Sequence, residues 1–311
     1  MYDWIWYVVL AIVLIALFLF LPSYIATEKI FKKKNKGYAK RKYIETMNGN
    51  LSWEWYEKLP KESFNVDSIY GYKLYGEMYR NKIHTNKTVV IMHGYGGNYI
   101  LSLKYAKMFL EFGFNVVVFD NTNCGRSGGN LTYMGVHEID DLGVIVAKAR
   151  ELTGENAVIG LHGESMGSAT SMAYLSRDDK IAFMIEDCGF TTLSEEVTFM
   201  MSKTYHLWRH PYVILASLIA KLRFGFFFKD FSPIALMREN GGYENVPMMF
   251  VHGKVDTVVP FEMMQKLYDA KRGYKKKVVF EYAQHARSIL YYREEYIKAT
   301  KDFLTEIGMI E

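Results

Sequence analysis

The sequence predicts an α/β protein: a mostly parallel eight-stranded sheet with helices on both faces, a helical insertion late in the chain, and an N-terminal transmembrane helix. Three observations predict it. From residue 88 onward, short runs rich in Val, Ile, Met and Phe alternate with segments of helical spacing, as doubly covered strands and their crossover helices do. Residues 192–228 interrupt that alternation with a Met-, Leu-, Ile-, Trp- and Phe-rich stretch that has helical spacing and no strand signal. Residues 4–21 form an unbroken apolar run of 18 residues without a charge, at the lower edge of what crosses a bilayer core.

The first element is that apolar run. Trp4, Trp6 and Tyr7 at one end and Tyr24 at the other suit the two membrane interfaces. A cleaved secretory signal is the competing reading, but Met1-Tyr2-Asp3 lacks the basic lead such signals carry, so residues 1–25 are expected to be an uncleaved anchor. Eight of the 38 basic residues follow directly: Lys29, Lys32, Lys33, Lys34, Lys36, Lys40, Arg41 and Lys42. With them, Asp3 and Glu28 set aside, 30 basic and 32 acidic residues remain from Tyr43 onward. The main domain is thus nearly neutral, and the net charge of +4 gives no case for a nucleic-acid partner. The basic segment, within a linker and lead-in over 26–62, favours the cytoplasmic side of a cell membrane and anionic headgroups. A solvated linker accounts for the same lysines. The expectation is a single-pass membrane protein with a cytoplasmic domain.

Residues 64–79 alternate around Gly71 and read as an antiparallel hairpin that opens the sheet. Further strands are expected at 88–92, 115–119, 157–161, 181–185, 246–251 and 277–282, with helices at 99–112, 135–152, 166–175, 261–271 and 288–307. These elements form one domain over 63–311, interrupted by the helical insertion at about 191–229. Cys124 and Cys188 are too few for a disulfide scaffold and lack the paired spacing of a zinc site, so neither metal nor cofactor is expected.

Gly163-Glu164-Ser165-Met166-Gly167 is a G-x-S-x-G sequence at the end of one expected strand and the start of a helix, the context in which that pattern presents a nucleophile. On its own the pentapeptide is also a plain tight turn. A serine hydroxyl needs a base to take its proton and a carboxylate to hold that base in one tautomer. His285 follows the last expected strand, and Asp256 follows the strand before it, giving the chain order Ser165, Asp256, His285. Each alone reads equally as a loop histidine or an Asx-turn residue; their joint placement behind Ser165 points to chemistry. His93-Gly94-Tyr95-Gly96-Gly97-Asn98 follows the 88–92 strand, and the backbone amides of Tyr95 and Met166 are assigned to an oxyanion hole. A phosphate-cradling loop is the alternative for this segment, but no Gly-Lys-Ser/Thr follows it.

Taken together, these residues resemble the α/β-hydrolase superfamily, and most closely its bacterial serine-aminopeptidase and prolyl-oligopeptidase-like esterase branch. The resemblance runs from about residue 64 to the C-terminus. It is carried by the His93 to Asn98 loop, Asp120 with Gly125-Arg126-Ser127, the segment from Gly135 to Leu142, Gly163 to Gly167, His252-Gly253 with Asp256 and Pro260, and His285 with Ser288. It departs from the family pattern at Thr122 and Asn123, where Arg and then Gly or Ala is usual, and at Ala283, where Gly is common. Some relatives keep their acid on the strand that here ends in Glu186 and Asp187, so Asp187 is a second carboxylate position beside Asp256.

The resemblance implies acyl transfer to Ser165 and hydrolysis without a cofactor. Its usual cap position coincides with the insertion, which carries Phe199, Met200, Met201, Tyr205, Trp208, Phe224, Phe226, Phe227 and Phe228. An apolar lid favours an apolar acyl group, although the same side chains also serve simply to pack the lid. With the anchor, this points to a membrane-anchored carboxylesterase or lipase-like enzyme taking a small-molecule or lipid-like ester. A peptidase or amidase of the same fold and a catalytically silent membrane-bound binding protein are the alternatives.

Overall fold

The computed structural model describes residues 3–33, 37–47, 52–204 and 209–311. In chain order the elements are α1 (Asp3–Phe31), α2 (Tyr38–Met47), α3 (Trp53–Glu57), β1 (Lys61–Asp67), β2 (Lys73–Tyr79), β3 (Lys87–Met92), α4 (Tyr99–Glu111), β4 (Asn115–Phe119), α5 (Glu138–Thr153), β5 (Val158–Glu164), α6 (Met166–Tyr174), β6 (Ile181–Asp187), α7 (Leu193–Thr204), α8 (Arg209–Phe224), α9 (Pro233–Glu239), β7 (Met248–Gly253), α10 (Phe261–Ala270), β8 (Lys275–Phe280), α11 (Ser288–Tyr291) and α12 (Arg293–Glu306).

The strands form one sheet in the order β1-β2-β4-β3-β5-β6-β7-β8. β1 pairs antiparallel with β2, and β2 with β4; every later pairing is parallel. This is the mostly parallel eight-stranded sheet the apolar runs predict. Successive residues of a strand point to opposite faces, and both faces are buried. In β3, Val90 and Met92 enter one core with Val117, Leu161 and Met184, while Val89 and Ile91 enter the other with Val116, Val118 and Ile185. Each such side chain contributes about 1.5–3 kcal/mol relative to exposure, which is why the central strands tolerate no polar alternation.

The structure differs from the sequence reading most in three places, while β7 and β8 lie at Met248–Gly253 and Lys275–Phe280 against the expected 246–251 and 277–282, and α5 starts at Glu138 rather than at 135. β5 runs on to Glu164 because β3 and β6 hold it from both sides, with His162 opposite Ile91 and Ile185. The C-terminal helix breaks at Tyr292, whose φ of −128° and ψ of 52° separate α11 from α12. α1 continues ten residues beyond the apolar run, since its last turns are buried against the domain: Ala26, Ile30 and Phe31 all lie in the core. The Phe31 ring stands 5.0, 5.6 and 6.0 Å from those of Phe224, Phe226 and Phe228.

Beyond α1, the segment that reads as a linker contains two helices. Tyr38 of α2 meets Tyr99 of α4, and the Tyr56 hydroxyl of α3 donates to the Leu103 carbonyl. α7 and α8 fill the insertion between β6 and β7, and α8 packs along α1. Of the residues singled out above, Tyr205, Trp208, Lys34 and Lys36 lie outside the described residues.

Candidate active site

The turn from β5 into α6 places Ser165 at φ 56°, ψ −119°, a strained conformation for a residue with a Cβ. Its flanking glycines make the turn possible. A Cβ at Gly163 would fall 2.4 Å from the Ser168 Cα, and one at Gly167 would fall 2.3 Å from the Met92 carbonyl oxygen. The Ser165 amide is held by the Asp187 carbonyl at 2.8 Å, so the end of β6 fixes the turn.

The loops after β7 and β8 bring the other two side chains to this turn. His285 Nε2 lies 2.9 Å from Ser165 Oγ, and His285 Nδ1 lies 2.7 Å from Asp256 Oδ2. An ionised Asp256 only accepts, so it keeps the proton on Nδ1 and leaves Nε2 free to accept from the serine hydroxyl. The amides of Val258 and Val259 donate to Asp256 Oδ1 at 2.8 and 3.0 Å, and His252 Nε2 lies 3.3 Å from Oδ2 while donating to the Val259 carbonyl at 3.0 Å. Burial alone would raise the Asp256 pKa, but hydrogen bonds from His252 and His285 hold it well below the usual carboxylate range. Burial would likewise lower the His252 pKa, yet Asp256 and Glu186 lift it above its ordinary value. His252 thus orients the acid, a role its place in the His252-Gly253 pair does not announce.

A second polar cluster lies behind Ser165. Lys104 of α4 forms a buried ion pair with Glu164, and its Nζ donates to the Ala286 carbonyl at 3.1 Å, one residue from His285. The Tyr105 hydroxyl lies 2.7 Å from Glu164 Oε2 and 3.0 Å from Asp187 Oδ2; Tyr296 donates to the same Asp187 oxygen at 3.0 Å. Burial pushes Glu164 up but Lys104 pulls it below its ordinary value, so the carboxyl is ionised. Asp187 is pushed up to about 6 by burial and by Glu164. Its side chain faces two tyrosines, whereas the His285 ring is bonded to Asp256.

Ser165 opens into a cavity of 250 Å³. Tyr95 and Met166 line it, as do Met134, Phe190, Met200 and Val258. Lys33, just past the end of α1, reaches the same cavity with its Nζ 4.4 Å above the Tyr95 ring, and the Tyr95 hydroxyl donates to the Ile30 carbonyl at 2.5 Å. His93, neutral because burial lowers its pKa to about 4, shapes the Tyr95 loop: its Nδ1 bonds the Gly94 carbonyl at 2.8 Å and its Nε2 accepts from the Asn121 amide at 3.1 Å. Of the insertion residues that reading the sequence placed over the site, Met200 lines the cavity, while Phe224, Phe226 and Phe228 pack on Phe31. At the departure from the family pattern, Asn123 takes a left-handed φ of 59°, and Asp120 holds the loop by accepting from the Tyr99 and Arg126 amides, both at 2.8 Å.

Among the described residues, one group of possible metal donors reaches this site: Cys188, Asp256 and His285, with ligand atoms within 4.8 Å of one another. Asp256 and His285 are spent on each other, and burial drives the Cys188 pKa far up, keeping it a neutral thiol. The set does not suit a cation.

The family model for the alpha/beta hydrolase fold matches residues 87–210. YqkD of Bacillus subtilis is 34% identical over 282 residues, covering 90% of each chain. A lysophosphatidylserine lipase of Xenopus tropicalis, ABHD12, is 26% identical over 245 residues, which make up 73% of this chain and 54% of that protein. Among solved structures, the Pyrococcus furiosus esterase Pf2001 superposes with a TM-score of 0.63 at 23% identity, over 80% of this chain and 91% of that one.

Proposed function

The chain belongs to the alpha/beta hydrolase family, and on that premise we propose that it is a membrane-anchored serine hydrolase cleaving esters with an apolar acyl group. One observation carries this reading: the continuous relay from Ser165 through His285 to Asp256, at 2.9 and 2.7 Å. Ser165 Oγ attacks the ester carbonyl as His285 Nε2 takes its proton, and the negative charge on the carbonyl oxygen falls to the amides of Tyr95 and Met166. His285 then protonates the departing alcohol, and water attacks the acyl-enzyme by the same route in reverse.

The size and lining of the cavity support a substrate class. At 250 Å³ with Met and Phe walls, it lies at the small end of ligand pockets and suits short or medium acyl chains. α1 is long and apolar enough to cross a bilayer, and Lys33 at its end reaches the cavity, which supports an ester taken from the membrane surface with its polar group near that lysine. The lysophosphatidylserine lipase among its relatives is in keeping with a lipid-like ester. The excess of lysines after α1 supports a cytoplasmic domain, and protease added outside intact cells should leave it undigested.

The test is turnover of a p-nitrophenyl ester series by the full chain in detergent micelles, with matched anilides. We expect kcat/KM to peak between butyrate and decanoate and esters to be cleaved far faster than anilides. A flat chain-length profile removes the acyl preference, and anilides cleaved as well as esters would make the enzyme a peptidase or amidase instead.

A further inference from the structure

α8 lies along the second half of α1 and runs in the same direction. Tyr212 meets Phe18 with ring centroids 6.4 Å apart, and its carbonyl accepts from Ser23 Oγ at 3.1 Å. Further along, Arg223 pairs with Glu28 at 3.1 Å and donates to the Tyr24 hydroxyl at 2.5 Å, and Phe224 reaches Phe31. The side of α8 carrying Tyr212, Ala216, Ile219 and Ala220 is buried. Its outer side carries Ile214, Leu218 and Leu222, exposed by 60%, 45% and 78% and spaced four apart, so they form one apolar stripe along the helix.

The depth of that stripe can be read from α1. At about 1.5 Å per residue, the run over 4–21 spans roughly 27 Å, close to the thickness of a bilayer's hydrocarbon core. Phe18 and Ser23 therefore stand at the end of that core, and Tyr212, in contact with both, brings Ile214 to the same level. The stripe borders a groove of 460 Å³ lined by Val213, Phe227 and Phe228, and Lys221 and Lys229 stand 5.4 and 5.5 Å above the Phe227 ring. Apolar side chains level with the hydrocarbon edge and lysines just beyond it are the pattern of a helix whose first turns dip into a membrane interface.

We infer that the outer face of α8 is seated in the interfacial layer of the bilayer that α1 crosses, so that the chain meets the membrane at two places. This rests on the reading of α1 as a membrane span. Two contacts fix the orientation of the domain that one helix would leave free to swivel, and with it the direction in which the cavity beside Lys33 faces.

The test places single cysteines at Ile214, Leu218 and Leu222 in the full chain, with Leu10→Cys in the apolar run as positive reference and Ile69→Cys in the β1–β2 turn as negative reference. All five positions are exposed, whereas the native Cys124 and Cys188 are buried, so a bimane label goes to the introduced thiol. The protein is reconstituted in phosphatidylethanolamine–phosphatidylglycerol vesicles containing nitroxide-labelled lipid. Bimane at Leu10, Ile214 and Leu218 should be quenched several-fold, with Leu222 intermediate and Ile69 unchanged. Quenching at Leu10 while 214 and 218 behave like 69 would overturn the inference and leave the anchor standing. No quenching at Leu10 would overturn the anchor, and the seat with it. Shielding of 214 and 218 that grows with protein density and not with nitroxide lipid would assign the face to a second copy of the chain.

Discussion

Two carboxylates sit at the C-terminal edge of the sheet, Asp187 after β6 and Asp256 after β7, and the structure treats them in opposite ways. Asp256 is bonded to an imidazole that reaches the cavity, and its pKa is held low by His252 and His285. Asp187 is enclosed by Tyr105 and Tyr296, one of its oxygens has no hydrogen-bond partner among the described residues, and burial raises its pKa to about 6. The lesson is that position at a strand end does not make a triad acid. A partner that must become charged during the proposed reaction does, and for Asp256 that partner is His285. Asp187 and the Lys104–Glu164 pair instead hold the scaffold on which Ser165 and His285 stand.

The sharpest way to break this contrast is to neutralise each acid in turn. Asp256→Asn should lower kcat by about 10⁴-fold, because the amide favours the wrong tautomer of the base, while Asp187→Asn should cost roughly tenfold or less. Steady-state kinetics on a chromogenic ester reads both, and a larger loss at Asp187 would transfer the acid's role there.

A smaller effect separates the two clusters by stability. Lys104→Met leaves Glu164 charged and buried without its partner, so the protein should lose about 3–5 kcal/mol, and the His285 loop should loosen through the lost bond to the Ala286 carbonyl. Glu164→Gln in the same chain should restore most of the stability, since the unpaired charge is then gone, but not the loop contact. Thermal denaturation in micelles with kcat measured alongside distinguishes the two losses. A single Lys104→Met variant as stable as the parent would show that the pair carries no weight.

The smallest effect concerns Glu196 of α7, a buried acid on the cavity wall whose Oε2 has no hydrogen-bond partner among the described residues. Burial, with Asp256 adding to it, raises its pKa to about 8 from an ordinary value of 4.5. The folded state therefore binds this proton more tightly than the unfolded state, so stability falls as pH rises from about 4.5 through about 8. Glu196→Gln removes that penalty: it should raise Tm by several degrees at pH 9 and change it little at pH 5. Equal shifts at both pH values would mean that the carboxyl does not titrate in this window.

Much of this architecture is legible in the sequence. Val-, Ile- and Phe-rich runs such as 115–119 announce doubly buried strands, and Gly163 and Gly167 announce the tight turn at Ser165, because only glycine survives such close backbone approach. Three features stay hidden for physical reasons. α1 outlasts its hydropathy signal because Pro22 and Ser23 end the apolar run, and Glu28 and Lys29 follow, while Ile30 and Phe31 go on being buried by tertiary packing. The cluster of Lys104, Tyr105, Glu164, Asp187 and Tyr296 is assembled from α4, β5, β6 and α12, so no local spacing records it. The insertion's aromatic residues read as a lid over the site, yet three of them are spent on Phe31; composition cannot say which surface an apolar side chain will meet.

The measurement that bears most directly on the central claim is labelling of the full chain in detergent micelles with a fluorophosphonate probe, which reacts with a serine only when a base activates it. The account predicts rapid labelling of the parent, none for Ser165→Ala, and loss of nearly all labelling for His285→Ala. Folded parent protein that stays unlabelled, or Ser165→Ala that labels as strongly as the parent, would contradict it.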